Sequence, residues 1–462
     1  MRTAEILKQT IGRRRAATLV TVVIFFFLSG FSEAGEMISK QTPGIEAFDS
    51  AQGRHLLQLA TIHNATITVT RERVRQVEED LQAARASLRP DVALGGTARV
   101  NDESSGGRDR EETNAFLSIS QALYTGGSLT ANRQAARLAL DAQKAEGVRS
   151  YQEVLHNVRT AYFECLRSLA QVLVAREALT LSGEHLRQAE ALFRAGMAPR
   201  GDVLRVKVSV NQSELDLVTA QSNFDVSWAT LEQAVGAKLD GEKGEVTSAI
   251  SQETIDELSP PGYRPPSDFL ERALAQRAEI AAYRLYVDRA GALIRASEGR
   301  RSPTVSLAGR LNSDQDAGSL ASNEWYVQLD LQWTLYDGGE ISSGIRKAKA
   351  AERELRGQSE LIATQVTQEA AAAEIRLRAA LARRNLAQEQ MQTSKEDYRI
   401  ALRRYDAQMG TNLDVLDARR ALISGRTEYV NAVYDIALAQ AGLIFAMGTD
   451  EISQELFTNQ QN

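Results

Sequence analysis

Cysteine is almost absent from this 462-residue chain, which contains Cys165 alone. A single cysteine cannot form a disulfide within the chain, so the fold has to be stable without such bridges. Histidine is also scarce. The four histidines show no metal-ligand spacing, and we interpret them as ordinary residues on helix surfaces: His55, His63, His156 and His185.

Motifs of the common enzyme classes are absent as well. The sequence has no G-x-S-x-G nucleophile elbow, no G-x-x-x-x-G-K-[ST] phosphate loop and no G-x-G-x-x-G fingerprint. Gly126-Gly127 and Gly338-Gly339 lack a phosphate-binding lysine and are better explained as turns between strand and helix. We therefore predict a protein that is not an enzyme, with no catalytic residues, no metal and no cofactor.

A surplus of positive charge is missing too. The net charge is −6, and it becomes −9 without residues 1–34, which hold five basic and two acidic side chains. Proteins that bind nucleic acid usually present a basic face. Nucleic acid is therefore not expected as a partner.

Long apolar runs are confined to the N-terminus. A basic run at Arg13–Arg15 precedes an apolar stretch, Ala16–Leu28, that is shorter than the roughly 20 residues a membrane-spanning helix needs. Ser32-Glu-Ala34 provides a small-residue cleavage site. These features predict a signal peptide over residues 1–34, whereas an inner-membrane anchor would need a longer run. No later segment is predicted to reach transmembrane-helix length, so any membrane contact would be made by strands.

The chain does contain one pattern twice, shifted by 212 residues. Tyr124-Thr-Gly-Gly127 matches Tyr336-Asp-Gly-Gly339, and Asp202-Val-Leu204 matches Asp414-Val-Leu416, with no gap between these anchors. Such a repeat predicts a tandem duplication of one structural unit.

Each copy begins with two strands of alternating polarity. The run from Trp325 to Leu335 places its apolar residues on one face, and residues 91–100 and 113–123 show the same alternation around a polar loop. These lengths are near the 9–11 residues typical of tilted transmembrane strands. A soluble sheet with one buried face fits the alternation equally well. Because four strands cannot close a barrel, a membrane sheet would require several chains.

Long helices follow each strand pair. In the run from Ser128 to Ala195, apolar residues recur every seven positions. Three positions after each of them stands a small residue, and the second copy preserves this second column. The pattern predicts closely packed, left-handed coiled coils. The apolar column is Tyr151, Val158, Cys165, Val172, Leu179, Leu186 and Phe193. Cys165 is therefore expected to serve packing and not reactivity.

One polar group stands out at the start of the last helix. Asp414 and Asp417 are three residues apart and share a helix face. Acids in a first turn can simply complement the helix dipole. Alternatively, a pair contributed by each chain of an oligomer would form a charged ring that focuses negative potential at a pore mouth. The first copy keeps Asp202 but has Arg205 at the position of Asp417.

The segment Arg404–Asp417 resembles the segment that bears the periplasmic gate of TolC-type outer-membrane efflux proteins, also called outer-membrane factors. The resemblance covers nearly all of the mature chain, including Ala84–Pro90, both Tyr-x-Gly-Gly turns and the duplication. It implies an α+β, mainly α fold: a TolC-like trimeric β-barrel with four strands per chain, continuous with a long α-helical coiled-coil barrel and built from a tandem internal repeat.

The resemblance also implies site residues. Asp414 and Asp417 would form the acidic ring of the gate, and Tyr405 and Asp202 would make a gate-closing hydrogen bond. Better-known members carry an arginine in this network at the position of Gly410, so the gate of this chain is expected to be held differently.

The function implied is a homotrimeric exit duct in the bacterial outer membrane, extending into the periplasm and surrounded by outer-membrane lipid. It would be a passive conduit for efflux or type I secretion, opened by a periplasmic adaptor protein and an inner-membrane transporter of the ABC, RND or MFS type. Two alternatives are a periplasmic coiled-coil adaptor and a structural, envelope-spanning coiled coil. An adaptor would need a lipoyl-like β-domain beside a single hairpin, and this sequence has two hairpins.

These interpretations divide the chain into nine predicted segments. In order they are a signal peptide (1–34), N-terminal helices (35–90), a membrane β-hairpin (91–123), a long helix pair (124–236), a Gly/Pro-rich connector (237–267), second-repeat N-terminal helices (268–302), a second β-hairpin (303–335), a second long helix pair (336–448) and a polar tail (449–462).

Overall fold

The computed structural model describes residues 51–101, 110–239, 243, 268–316 and 322–448. The predicted signal peptide, most of the connector and the polar tail lie outside these described residues. The elements within them are, in chain order, α1 (Ala51–His63), α2 (Ala65–Ala86), β1 (Asp91–Asn101), β2 (Arg110–Tyr124), α3 (Ser128–Arg194), α4 (Arg200–Val235), α5 (Phe269–Gln276), α6 (Ala278–Gly299), β3 (Thr304–Asp316), β4 (Ser322–Gln332), α7 (Glu340–Asp406) and α8 (Asn412–Met447).

The chain divides into two compact units. The first, here called the sheet unit, comprises Thr68–Ser150 and Leu274–Thr367. The second, the helical unit, comprises the described parts of Met1–Ile67, Tyr151–Ala273 and Gln368–Asn462. The two 67-residue helices, α3 and α7, contribute residues to both units.

The sheet unit contains one antiparallel sheet with strand order β1-β2-β3-β4. The register aligns a single apolar row across all four strands, because Leu94 pairs with Leu117, Leu117 with Leu311 and Leu311 with Trp325. The exposed fractions in this row are 82% for Leu94, 46% for Leu117, 49% for Leu311 and 75% for Trp325. The described part of the chain therefore leaves this apolar face uncovered, which disfavours a soluble sheet with one buried face.

The opposite face of the sheet is more polar and is packed within itself. The Arg310 guanidinium lies 3.8 Å from the centre of the Phe116 ring, a cation–π arrangement. Arg310 also donates to the Asn312 side chain at 2.6 Å. The Phe116 ring lies over Gly95, where a Cβ atom would come within 2.5 Å of the ring. A side chain at Gly95 would therefore displace the ring.

The strands extend further into the loops than the sequence predicted. β2 begins at Arg110 and not at Thr113, and β3 continues to Asp316, into the loop that the sequence predicts over residues 313–323. Continued cross-strand pairing explains the extension, since Glu112 pairs with both Arg99 and Asp316. β4, in contrast, ends at Gln332, three residues before the predicted end.

Glycine-containing turns connect the sheet to the long helices, as predicted. Gly126 and Gly338 adopt positive φ values of 60° and 67°, a region that favours glycine. Gly126 also has no room for a side chain, because a Cβ atom would lie 2.2 Å from the Gly299 carbonyl oxygen at the end of α6.

The apolar column of α3 forms part of the main core of the helical unit. Val158 and Cys165 are fully buried there, together with Leu231 of α4 and Val433 of α8. The burial of Cys165 in this core confirms its packing role. Burial also raises the pKa of its thiol to about 11, so the thiol stays protonated at neutral pH. The column does not stay buried to its end, because Phe193 is exposed.

Several members of the column of small residues are buried as well, as expected for positions between packed helices. In α3 these are Ser182 and Ala189, and in α7 Ala373 and Ala380. Polar contacts align α3 with α8 in addition to this packing. Arg167 pairs with Asp435 at 3.4 Å, and the Gln171 amide donates to the Asn431 side chain at 2.8 Å.

Helix α8 corrects one expectation. It is long and apolar enough to cross a membrane by length and composition, although the sequence was predicted to contain no such segment after the N-terminus. More than half of its most apolar window is buried inside the protein. This burial is typical of a core helix, and the apolar character of α8 is explained by its packing in the helical unit.

Candidate functional site

The predicted site residues lie in the helical unit, at the turns that join α3 to α4 and α7 to α8. Both turns end their first helix in the same way. The Met197 amide donates to the Leu192 carbonyl at 2.8 Å, and the Met409 amide donates to the Arg404 carbonyl at 2.7 Å. Bonds of this span, with a left-handed residue between, define a Schellman motif.

The left-handed residue differs between the two turns. In the first it is Gly196, with φ of 72°, whereas in the second it is Gln408, with φ of 60°. Gln408 is the non-glycine residue with positive φ in the described ranges. A side chain in this conformation costs roughly 1–2 kcal/mol. The second turn is therefore the more strained of the two.

Asp414 caps α8. Its carboxylate accepts from the Thr411 amide at 2.9 Å, while the Thr411 hydroxyl accepts from the Asp414 amide at 3.2 Å. This reciprocal arrangement is a capping box. The hydrogen bond from the Thr411 amide lowers the pKa of Asp414 below its ordinary value. Asp414 therefore carries its negative charge at neutral pH and is exposed at the start of the helix.

Asp417 has a different environment. It is exposed like Asp414, but Arg420, one turn along α8, donates to its carboxylate at 2.8 Å. An exposed pair of this kind contributes little to stability. Its effect here is electrostatic, because the arginine partly neutralises the aspartate. Asp414 is therefore the stronger source of negative potential.

Tyr405 and Asp202 lie near each other without the expected hydrogen bond. The Tyr405 hydroxyl at the end of α7 is buried and has no hydrogen-bond partner among the described residues. Burial raises the pKa of Tyr405, and the charge of Asp202 raises it further. The Asp202 carboxylate accepts instead from Arg205 at 3.3 Å.

His185 shows that the histidines are not all surface residues. Its side chain is only 2% exposed, which corrects the prediction for this residue. His185 Nε2 lies 2.8 Å from the Asn412 side-chain oxygen at the start of α8. The Asn412 amide nitrogen donates in turn to the Asp202 backbone carbonyl at 3.4 Å. His55 and His63, in contrast, are exposed as predicted.

Arg419 is a second polar residue that the sequence interpretation missed. Its guanidinium is buried in the helical unit and donates to the hydroxyls of Ser209 and Ser213 on α4. Burial lowers the pKa of Arg419. A signal was present in the sequence, because Arg419 occupies the apolar stripe of α8 that also includes Val415, Leu416 and Leu422. An arginine at such a position requires hydrogen-bond partners.

A small apolar cluster supports the turns from behind. It combines Ala189 of α3, Val206 of α4 and Leu416 of α8. Three helices thus meet directly behind the capped start of α8, so the positions of Asp414 and Asp417 depend on how these helices pack. In the described part of the chain no group of acidic, histidine and cysteine side chains has the arrangement of a metal site.

Comparison with known proteins identifies the architecture. The sequence profile of the outer membrane efflux protein family matches residues 56–237 and 269–449. The chain belongs to this family. The two matched segments of the efflux protein contain the two copies of the internal repeat, and the family places it in the bacterial outer membrane.

Individual relatives agree with this assignment. The efflux protein is 26% identical to the outer membrane efflux protein BepC of Brucella suis over 402 residues, which cover 84% of this chain and 83% of BepC. It is 26% identical to the alkaline protease secretion protein AprF of Pseudomonas aeruginosa over 364 residues, covering 76% of this chain and 72% of AprF.

The fold is that of solved outer-membrane channels. The crystal structure of the outer membrane protein VceC of Vibrio cholerae superimposes with a TM-score of 0.72 at 21% identity, covering 87% of this chain and 97% of VceC. The predicted TolC-like fold with a tandem repeat is therefore confirmed. The efflux protein is an outer-membrane channel that extends into the periplasm.

Proposed function

We propose that three copies of the efflux protein assemble into one export conduit. The observation that carries this proposal is the uncovered apolar row of the sheet, Leu94–Leu117–Leu311–Trp325. The outer strands of this sheet are β1 and β4. Each of these strands pairs with one neighbour in the described chain. Lipid does not tolerate unpaired strand edges.

Pairing between copies would remove both edges. Because successive strands alternate in direction, β4 of one copy is antiparallel to β1 of the next. Three copies supply twelve strands, an even number within the range of bacterial outer-membrane barrels. The apolar row would then form a continuous lipid-facing band, with Arg310 and Asn312 on the inner face.

The helix turns of the helical unit are proposed as the periplasmic gate. Asp414 and Asp417 of three chains would form an acidic ring that attracts cations and repels anions. Asp414 is the principal member, because Arg420 forms an ion pair with Asp417 at 2.8 Å, whereas Arg404 acts on Asp414 through its charge alone. The two readings of Asp414 are compatible, since one carboxylate can cap a helix and still present its charge to solvent.

Tyr405 and Asp202 are proposed as closing contacts of the assembled gate. A buried hydroxyl without a partner costs roughly 1–3 kcal/mol. A hydrogen bond to the nearby Asp202 carboxylate in the closed trimer would remove that cost. On this proposal Tyr405→Phe raises the resting conductance, whereas a conductance equal to that of the parent removes Tyr405 from the gate.

The conduit is proposed to act with a periplasmic adaptor protein and an inner-membrane transporter. Two similarities support this reading, one to an efflux protein and one to a protein named for protease secretion. Neither the described residues nor the sequence includes a nucleotide-binding motif, so the energy for export would come from the transporter. The cargo would be selected there as well.

Planar-bilayer recording tests the proposal. The purified protein should be trimeric in detergent, should form discrete pores and should be blocked by hexaamminecobalt(III) added to the side of the turns. The double variant Asp414→Asn with Asp417→Asn should weaken this block. Glu214→Gln, an exposed charge change on α4 away from the turns, serves as the matched control. A monomeric protein without pores, or unchanged block in the double variant, would contradict the proposal.

A further inference from the structure

A chain of hydrogen bonds connects three of the four helices that meet at the turns, α3, α8 and α4, and a ring contact adds the fourth, α7. It begins at His185, near the end of α3, whose ring contacts the side-chain oxygen of Asn412, the first residue of α8. Asn412 is itself buried and donates to the backbone carbonyl of Asp202 in the first turn of α4. The Tyr405 ring, at the end of α7, packs edge-on against His185 with a centroid distance of 5.4 Å.

The hydrogen-bond donors and acceptors define the protonation of the ring. Because the Asn412 amide nitrogen donates to Asp202, its oxygen faces His185 and accepts. His185 Nε2 must therefore carry a proton, as it does in one neutral tautomer. The neutral ring meets this requirement without placing a charge in a site that is 98% buried.

The surroundings of the ring oppose a second proton. Burial is the largest influence and lowers the pKa of His185. The positive charge of Arg419 on α8 lowers the pKa of the ring, whereas its hydrogen bonds to Asn412 and Gln188 and the negative charge of Asp406 on α7 raise it. Asp202 of α4 presents its backbone carbonyl to this chain, and its carboxylate is engaged by Arg205.

We propose that His185 is a positioning residue of the gate, which holds the start of α8, and with it Asp414 and Asp417, in the closed arrangement through Asn412. This inference rests on the proposed function of the turns as a gate. It supplies a closing contact within one chain, between α3 and α8. Opening would separate α8 from α3 and expose the imidazole to water.

The proposal makes closure dependent on pH. A hydrated histidine has a pKa near 6.5, and the closed arrangement lowers that pKa, so the closed form binds fewer protons. Lowering the pH below about 6.5 therefore favours opening until the closed-state pKa is reached, and above 6.5 the effect disappears. Each unit by which the pKa is lowered corresponds to about a tenfold change per chain in the open-to-closed ratio.

The test measures open probability in planar bilayers between pH 7.5 and pH 5. The parent should open more often as the pH falls. His185→Gln, whose amide can donate to Asn412 at every pH, should stay closed like the parent at pH 7.5 and should lose the increase at pH 5. His185→Ala, which removes the donor, should open more often already at pH 7.5.

His156→Gln is the matched control. His156 is another histidine of α3, partly buried, and it stacks on Phe445, at the far end of α8 from Asn412, with a centroid distance of 4.4 Å. This variant should keep the pH response of the parent. If the parent forms pores and His185→Gln retains the full increase at pH 5, the inference about His185 is wrong while the conduit stands. If the parent forms no pores, the proposed function itself fails.

Discussion

Replacing Leu94 by arginine tests whether the apolar face of the sheet contacts lipid or water. Leu94 is 82% exposed in the chain, so the substitution removes few contacts with other residues. In water such a change would alter the free energy of unfolding by no more than about 0.5 kcal/mol. In lipid, an arginine near the bilayer midplane costs roughly 2–4 kcal/mol. Leu94 is the fourth of the eleven residues of β1, so in the proposed barrel it lies within the apolar band, and we expect a cost in this range.

This difference is large enough to measure. A cost of roughly 2–4 kcal/mol lowers the ratio of folded to unfolded protein by about 30- to 700-fold per chain, because 1.4 kcal/mol corresponds to tenfold. The assay is urea unfolding of the protein in phospholipid vesicles, followed by tryptophan fluorescence and by the mobility of unheated samples on gels. Leu94→Arg should unfold at a distinctly lower urea concentration than the parent.

A matched variant on the other face provides the control. Gln328 lies on β4 between Val327 and Leu329, and its amide contacts the Asp330 carboxylate at 2.9 Å. Gln328→Arg introduces the same charge next to an acidic partner and should unfold like the parent. If Leu94→Arg also unfolds like the parent, the apolar row does not contact lipid, and the proposed conduit loses its main support.

Other predictions concern the turns. Asp414→Asn should weaken block by trivalent cations more than Asp417→Asn does, because Arg420 pairs with Asp417. For the same reason Arg420→Ala should strengthen the block. Equal effects of the two aspartate variants in bilayer recordings would contradict this ranking. Gln408→Gly should raise the free energy of unfolding of the helical region by up to about 1 kcal/mol. The reason is that the relief of a strained φ exceeds the entropic cost of glycine. The reverse exchange, Gly196→Gln, should lower the free energy of unfolding by roughly 1–2 kcal/mol. Both changes are measured by circular dichroism on heating. If the two variants melt at the same temperature, the turns carry no such strain.

The elements with a regular pattern could be predicted from the sequence. Alternation located the strands, and the seven-residue column located the core of α3, because both patterns follow from which side a residue faces. Strand ends were less predictable. The extension of β2 and β3 comes from cross-strand pairing of polar residues such as Glu112 and Asp316, which have no alternating signature.

The polar contacts behind the turns could not be predicted in the same way. A single histidine in a helix has no pattern that distinguishes a surface site from a buried one, and the partner of His185 is 227 residues away in the chain. The pairing of Asp417 with Arg420 was accessible in principle, since residues three apart in a helix are neighbours. The buried Arg419 was accessible too, because it interrupts an apolar stripe.

The seam between β2 and β3 has a consequence for the joint between subunits. It is the place where the first repeat meets the second inside one polypeptide, and it aligns Leu117 with Leu311. In a closed ring the second repeat must meet the first repeat of the next chain. Leu94 pairs with Leu117 as Leu307 pairs with Leu329, so β1 and β3 correspond with a shift of 213 residues and Ala98 takes the place of Leu311. With Leu329 in the place of Leu117, we expect Leu329 to face Ala98 across that joint. The ring would then consist of six nearly equivalent hairpins, and every chain would contain one copy of the joint that holds it to its neighbours.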